Sequence, residues 1–228
     1  MKEIFLKMGI DLTQKQIEDL TEFKNLLLFY NQKFNITTIT EEKDIFVKHF
    51  LDSALVKDYF SNNSSVIEIG SGGGFPSIPL KILRRDLSFK LVESTGKKCL
   101  FLKEVVKALK LENVEVLNAR AEDLGKDKKY REKFDYATAR AVARLNTLCE
   151  YCMPLVKVGG SFISLKGIAE EEIEESKNAV KILGGKINSV NEYELLEEGK
   201  RTIIDVKKIS STPSLYPRGN GKERKSPL

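Results

Sequence analysis

Four glycines follow directly on an apolar run in the segment SVIEIGSGGGFPSIPL, residues 65–80. The β-branched residues before Gly70 predict a buried strand, and the proline after the glycines suits the first turn of a helix. A turn without side chains lets a ligand contact the backbone and leaves the first helical amides free to bind it. Strand, glycine turn and helix together predict a site for a nucleotide cofactor.

The spacing of the glycines separates two kinds of cofactor. Read as GxGxxG from Gly70, the pattern lacks its third glycine, because Phe75 stands there. The looser pattern ExGxGxG of enzymes that use S-adenosylmethionine (SAM) is met by Glu68, Gly70, Gly72 and Gly74. The turn therefore favours SAM over a nicotinamide dinucleotide.

An acidic residue ends the next apolar run. Residues 87–92 predict a strand, and Glu93 follows it about 20 residues beyond the first glycine, where such folds bind the ribose diol of an adenosine. NAD and SAM both carry that ribose, so Glu93 predicts an adenosine rather than a particular chemistry. A solvated carboxylate at a strand end is the alternative interpretation.

The elements that must position these residues alternate along the chain. A capping box at residues 13–16 begins one helix, and a second is expected at about 41–60. The elements predicted after them are strand 65–70, helix 76–84, strand 88–93, helix 96–110, strand 113–118, strand 134–139, helix 145–157, strand 160–165, helix 169–183, and strands 186–196 and 201–209. This order predicts an α/β fold of the class I SAM-dependent methyltransferase type. Its Rossmann-like, mostly parallel seven-stranded sheet ends in an antiparallel hairpin.

Composition and length limit the possible domain organisation of the chain. With 228 residues, 41% of them hydrophobic, the chain can bury a good core, and it shows neither a membrane-spanning run nor a signal peptide. We expect a cytoplasmic monomer with no membrane partner. Its predicted parts are an N-terminal helical extension over 1–64, a SAM-binding domain over 65–209 and a basic tail over 210–228. Cys149 and Cys152 form a CxxC in an apolar helix, which predicts core packing rather than a metal site.

The net charge of +5 is concentrated in part in the tail, where four basic residues stand against Glu223 alone. These residues are Arg218, Lys222, Arg224 and Lys225. A basic segment rich in proline, glycine and serine is expected to fold poorly and to contact RNA phosphates, because counterion release favours such contacts. A disordered, solubilising end is the alternative.

The end of the predicted strand 134–139 bears on the methyl acceptor. There is no Asp/Asn-Pro-Pro-aromatic sequence, which argues against attack by an exocyclic amine, and no Pro-Cys or Thr-Cys, which argues against cysteine-mediated carbon methylation. Instead Arg140 stands there. It is either a structural clamp for a carboxylate or a group that touches cofactor or substrate.

Several segments, in order along the chain, resemble the bacterial small-subunit (16S) rRNA 7-methylguanosine methyltransferase G family. They are NIT at 35–37, KHFLDS at 48–53, GSGGGFPSIPL at 70–80, LVESTGKK at 91–98, RAE at 120–122, FDYATARAVA at 134–143, LKG at 165–167 and SLYPRGNGKERKSPL at 214–228. Glu68 and Glu93 replace aspartates usual in that family, and Ser77 replaces a common glycine.

The resemblance implies methyl transfer from SAM to guanine N7, with S-adenosylhomocysteine (SAH) as product and 16S rRNA or the small ribosomal subunit as partner. The resemblance implies Gly70, Phe75, Ala121, Glu122 and Arg140 as cofactor contacts, with Glu93 at the ribose. We also expect Gly72, Ser94 and Thr95 to contact the cofactor. The catalytic candidates are Arg140, Asn35 and His49. Asn35 either hydrogen-bonds the base edge or holds a helix end, and His49 is either a base or a packed residue.

Three other functions remain open at the level of sequence. An NAD-linked oxidoreductase would need the same ribose acid, although no Tyr-x-x-x-Lys is present. A non-catalytic RNA-binding module would keep the fold without the chemistry, and the intact glycine turn argues against it. A SAM-dependent RNA methyltransferase with a different acceptor atom is the third.

Overall fold

The computed structural model describes residues 1–228. Its α-helices are α1 (Lys2–Leu6), α2 (Gln14–Phe34), α3 (Glu42–Asp44), α4 (Asp52–Ala54), α5 (Ser77–Leu83), α6 (Gly96–Ala108), α7 (Ala121–Leu124), α8 (Leu145–Cys152), α9 (Glu170–Ile182) and α10 (Lys222–Lys225). A π-helix over Ile45–Leu51 joins α3 to α4, and a 3-10 turn covers Lys57–Tyr59.

Seven strands form one mixed sheet, as predicted. They are β1 (Ser65–Ile69), β2 (Ser88–Glu93), β3 (Val114–Asn118), β4 (Phe134–Arg140), β5 (Val156–Lys166), β6 (Gly185–Glu194) and β7 (Lys200–Lys208), in the order β3-β2-β1-β4-β5-β7-β6. The β1–β4, β2–β3 and β4–β5 pairs are parallel, whereas β7 pairs antiparallel with β5 and with β6. The predicted terminal hairpin is confirmed, and Leu195 donates its amide to the carbonyl of Gly199 across the turn at 3.1 Å.

The chain forms two compact units, residues 1–63 with 71–118, and residues 64–70 with 119–228. In the first unit, the predicted capping box begins α2, with Thr13 and Gln16 bonded to each other through side chains and amides. The buried face of α2 carries Phe23, whose ring stacks on that of Phe50 with centroids 5.1 Å apart. Aromatic burial of this kind is a large stabilising contribution for a small helical layer.

In the second unit, the central strands of the sheet are lined by buried residues. Ala137 on β4 pairs with Phe162 on β5, and Phe162 pairs with Val206 on β7, all of them fully buried. Near the start of β4, Asp135 accepts hydrogen bonds from the amide and the hydroxyl of Ser65 at 2.8 and 2.7 Å. These bonds fix the parallel register of β1 on β4.

Several boundaries differ from the prediction. The helix expected at 145–157 ends at Cys152, because Pro154 has no backbone N–H with which to continue the helical hydrogen bonds, and β5 then begins at Val156 rather than at 160. The region expected as one helix at 41–60 is helical in several short pieces. The sequence pattern did not indicate α1, α7 or α10. The division into 1–64, 65–209 and 210–228 stays a prediction.

The cysteines lie in the core, as predicted. Cys149 and Cys152 are buried and free, and burial raises the pKa of the Cys149 thiol to about 12 and that of Cys152 well above its usual value. Thiols held protonated in this way are poor metal ligands and poor nucleophiles. No group of His, Cys, Asp or Glu side chains is placed to hold a metal ion, and none of the helices has the length and apolarity that crossing a membrane requires.

The Asp135 contacts predict a stability that depends on pH. Burial would raise the pKa of Asp135, but the bonds from Lys157 and Ser65 outweigh it and lower the pKa from 3.8 to about 2. A carboxyl group whose pKa is lower in the folded than in the unfolded protein stabilises the fold at pH values above its unfolded pKa. This stabilisation is lost as the pH falls through its folded pKa. Asp135→Asn should therefore lower the free energy of unfolding by about 2 kcal/mol at pH 7.

Chemical denaturation at several pH values tests this expectation, with Asp58→Asn at the exposed Lys57–Asp58 pair as control. The difference between wild type and Asp135→Asn should narrow as the pH falls from about 4 to about 2. A constant difference over that range would contradict the assignment.

Candidate cofactor site and basic tail

The carboxylate of Glu93 connects two backbone segments in the first unit. Glu93 is the last residue of β2 and is 7% exposed. Its Oε2 accepts the amide of Gly72 at 3.0 Å, and its Oε1 accepts the amide of Thr95 at 2.7 Å. A carboxylate has about four acceptor positions, so each oxygen keeps one for a further donor. This donor set fits the paired hydroxyls of a ribose.

The backbone around Glu93 is held as firmly as its side chain. Its carbonyl accepts the side-chain amide of Asn118 at 3.0 Å, and the amide of Ser71 donates to Val92 at 3.0 Å. Gly72 has a φ of 50°, a conformation that β-branched residues adopt only with strain. The glycine turn is thus held in shape by contacts within the chain. Ser94 and Thr95, which follow Glu93, are exposed.

Phe75, the implied cofactor contact after the glycines, lies in an aromatic cluster. The ring of His49 stacks on it with centroids 4.3 Å apart and planes 20° apart, and the ring of Phe23 lies at 5.4 Å. A Cβ on Gly73 would come within 2.9 Å of the Phe75 ring. The absence of a side chain at Gly73 therefore lets the turn pack on Phe75.

His49 lies in the π-helix and is half-buried. A hydrogen bond of 2.9 Å joins its Nε2 to Oγ1 of Thr37, which also accepts the amide of Ile39 at 3.1 Å. Ring stacking on one side and a hydrogen bond on the other hold the imidazole in place. This arrangement favours the packed role for His49 over the role of a base.

Asn35 ends α2. It has a φ of 50° and donates its amide to the carbonyl of Asn31 at 3.1 Å, while its side chain is exposed. Oδ1 of Asn31 accepts the amides of Ile36 and Thr37 at 2.7 and 2.9 Å. The backbone of Asn35 thus terminates the helix, and its exposed side chain is compatible with a contact to a base.

In the second unit, Gly70 ends the β1 segment with a φ of 69°. A Cβ at this position would lie 2.5 Å from Cγ2 of Val142, so packing as well as conformation requires glycine. Arg140 is the last residue of β4 and is half-buried. The loop after it is held by Lys166, which donates to the carbonyl of Ala143 at 2.6 Å.

Ala121 and Glu122, which like Phe75 are implied as cofactor contacts by the resemblance alone, begin α7 in the second unit. Ala121 is buried, and Glu122 is half-buried with its carboxylate 3.9 Å from the guanidinium of Arg120. Glu122 also lines an open cleft of about 290 Å³, together with Lys126 and the residues 219–221. The tail therefore lies beside α7.

The tail is folded, so the expectation of a poorly folding segment was wrong. Arg218 is half-buried and forms an ion pair with Glu150 at 2.7 Å, whereas Lys222, Arg224 and Lys225 are exposed on or beside the single turn of α10. Sequence reasoning missed Glu150 and Thr37. A single acid in the apolar stretch 145–156 was a signal for the first, and nothing local identified the second.

Solved structures with a similar fold include SAM-binding enzymes. A SAM-dependent methyltransferase from Aquifex aeolicus matches with a TM-score of 0.57 at 16% identity, over 77% of this chain and 97% of that one. TYW2 from M. jannaschii in complex with AdoMet matches with a TM-score of 0.57 at 16% identity, over 75% and 80% of the two chains. These matches establish the fold class.

Sequence comparison identifies the family. The model of the GidB family, described as rRNA small subunit methyltransferase G, matches residues 16–204. Relatives named Ribosomal RNA small subunit methyltransferase G include one from Brevibacillus brevis, 48% identical over 99% of this chain and 97% of its own length. Another, from Acetivibrio thermocellus, is 45% identical over 96% and 92%. The glycine turn, the Glu93 carboxylate and the seven-stranded sheet all agree with these matches, and the chain belongs to the rRNA small subunit methyltransferase G family.

Proposed function

We propose that this chain transfers the methyl group of SAM to N7 of a guanine in small-subunit rRNA, with SAH as the second product. Membership of the methyltransferase G family supports the activity and the RNA substrate. The observation that carries the place of the cofactor is the Glu93 carboxylate, fixed by the amides of Gly72 and Thr95.

Guanine N7 places particular demands on the enzyme. Bound SAM supplies an electrophilic methyl group. N7 carries a lone pair in the plane of the ring and reacts without losing a proton, so the chain needs to orient the base rather than to remove a proton from it. This agrees with the surroundings of His49, whose ring is held by Thr37 and Phe75.

The residues divide into those that hold the ribose and those that shape its surroundings. Glu93 accepts hydrogen bonds from the ribose hydroxyls, and Gly72, Ser94 and Thr95 lie beside it. Phe75 provides an apolar wall, which His49 keeps in place. The cofactor contacts of Gly70, Ala121, Glu122 and Arg140, and the contact of Asn35 to the base, remain predictions.

The expected partner is 16S rRNA, either as free RNA or within the small ribosomal subunit. The corresponding location is the cytoplasm, where ribosomes work. We propose that the protein acts as a monomer. Comparing free rRNA with assembled subunits as substrates, and light scattering of the pure protein, would decide these points.

Mass mapping of methylated nucleotides tests the function directly. Small-subunit rRNA from cells with and without this protein is digested, and the fragments are compared. One guanosine should carry a methyl group only when the protein is present. Identical methylation in both samples would contradict the proposal.

The ribose contact predicts a loss of cofactor binding. Glu93→Ala should weaken SAH binding by about 1–3 kcal/mol, because charge-assisted hydrogen bonds are lost. Glu93→Asp keeps the carboxylate and should restore most of the affinity. Calorimetry measures both variants, with Glu104→Ala, an exposed residue on α6, as control. Unchanged affinity in Glu93→Ala would remove the ribose assignment.

The stacking of His49 predicts a positioning role. His49→Ala should reduce the rate modestly and leave the pH profile unchanged, whereas loss of a general base would cost about 10²–10⁴-fold. His49→Phe keeps a ring against Phe75 and should recover most of the rate. Rates at saturating SAM from pH 6 to 9 decide between the two roles. A steep loss of rate in both variants, together with a titration near pH 6.5 in the wild-type profile that the variants lack, would identify a base.

Arg140 should matter more than His49. Removal of a guanidinium that binds a charged partner costs about 1.5–3 kcal/mol, so Arg140→Ala should lower kcat/KM for SAM by about 10- to 100-fold. Arg144→Ala serves as control, because the Arg144 guanidinium is half exposed and pairs with Glu175 at the surface. Equal kinetics in the two variants would leave Arg140 without a role in the reaction.

A further inference from the structure

We propose that Glu150 is a positioning residue for RNA binding. Its buried carboxylate holds Arg218 and so fixes the tail in a shape that presents Lys222, Arg224 and Lys225 to RNA phosphodiesters. This rests on the proposed function, and it changes the role of Arg218 from a phosphate contact to a structural anchor.

The Glu150 carboxylate is fully engaged by Arg218. Oε1 accepts the backbone amide of Arg218 at 2.8 Å and its Nε at 2.9 Å, and Oε2 accepts the terminal nitrogen at 2.7 Å. The Glu150 side chain is 1% exposed and that of Arg218 is 19% exposed. This two-pronged contact uses Nε and one terminal nitrogen of the guanidinium, pairs its charge with Glu150 and fixes the plane of the group. The pair therefore serves the fold of the tail.

A second buried carboxylate closes the tail turn. Glu223 is fully buried and accepts the amide of Gly219. Its carbonyl accepts the hydroxyl of Thr147 at 2.9 Å. Thr147 and Glu150 are three residues apart on α8 and therefore lie on one face of that helix. This face is the surface on which residues 218–223 fold.

The tail is also held upstream of this turn. The guanidinium of Arg131 donates to the carbonyls of Thr212 and Tyr216, both at 2.7 Å, and Lys126 donates to the carbonyl of Arg218 at 3.1 Å. Basic side chains of the body thus bind tail carbonyls, while acidic side chains bind tail amides. The tail has a defined path despite its composition.

The remaining tail cations face solvent. Lys222, Arg224 and Lys225 are exposed, and Nε of Arg224 lies 3.4 Å from the hydroxyl of Tyr151 on α8. The acidic residue among them, Glu223, is turned inward. The exposed side of α10 is therefore uniformly basic, which suits a phosphodiester backbone. A fixed cluster loses less conformational entropy on binding than a disordered one.

The salt dependence of RNA binding distinguishes residues that anchor the tail from residues that contact phosphates. Each phosphate contact contributes about 0.7–0.9 to the slope of log K against log salt. Lys222→Gln/Arg224→Gln/Lys225→Gln should lower that slope by about two to three. Glu150→Gln should lower it nearly as much, although it removes no cation. KM for RNA should rise about tenfold at physiological salt, while SAH affinity and kcat at saturating RNA stay unchanged.

Arg218→Lys provides a second variant if Glu150→Gln does not fold. A lysine keeps the charge but cannot bind Glu150 in two places, so it should reduce the salt slope as Glu150→Gln does. If Arg218 contacted a phosphate directly, Arg218→Lys would keep the wild-type salt slope, because the charge is retained. Hydrogen exchange of residues 211–228 should accelerate in both variants. Glu174→Gln, at the exposed Lys177–Glu174 pair, is the matched control.

An unchanged salt slope in Glu150→Gln, or in the triple tail variant, would overturn the inference. Either result would do so even if the wild-type protein methylates rRNA. If the wild type transfers no methyl group to rRNA, the proposed function fails, but the salt slopes can still be read on any RNA.

Discussion

The site depends on one carboxylate that bridges two backbone amides. Glu93 binds Gly72 on the glycine turn and Thr95 at the start of α6, and both contacts lie within hydrogen-bond distance. The turn can approach β2 closely because Gly72 adopts a left-handed conformation without a side chain. A ligand that binds Glu93 therefore meets a surface that the chain's own hydrogen bonds hold in place, which reduces the free energy needed to order the site.

Carboxylates that accept a single backbone amide have a related role in the second unit. Asp135 accepts the amide of Ser65, Glu132 accepts that of Thr212, and Glu150 accepts that of Arg218. In each case a carboxylate from the body of the unit orders a segment far away in sequence. Buried amides need such acceptors, because an unpaired donor inside a protein is costly. These acidic side chains bind amides that lie at the start of a strand or outside regular secondary structure.

The sheet and the cofactor turn could be predicted because their signals are local. Alternating apolar runs, the glycines after β1 and Glu93 at the end of β2 lie within short stretches of sequence. The positions of Arg218 and His49 could not be read in this way, because their partners Glu150 and Thr37 lie elsewhere in the chain. Composition was misleading for the tail, since its few apolar residues are compensated by hydrogen bonds that no local pattern reveals.

The central claim is that this chain methylates guanine N7, and chemical cleavage of its product tests that claim most directly. Small-subunit rRNA is methylated by the pure protein with SAM, treated with borohydride and then with aniline. The fixed positive charge of 7-methylguanosine labilises the base, so we expect strand scission at one guanosine that depends on both protein and SAM. Methyl incorporation without scission would contradict it and would indicate an exocyclic amine or a carbon atom as the acceptor.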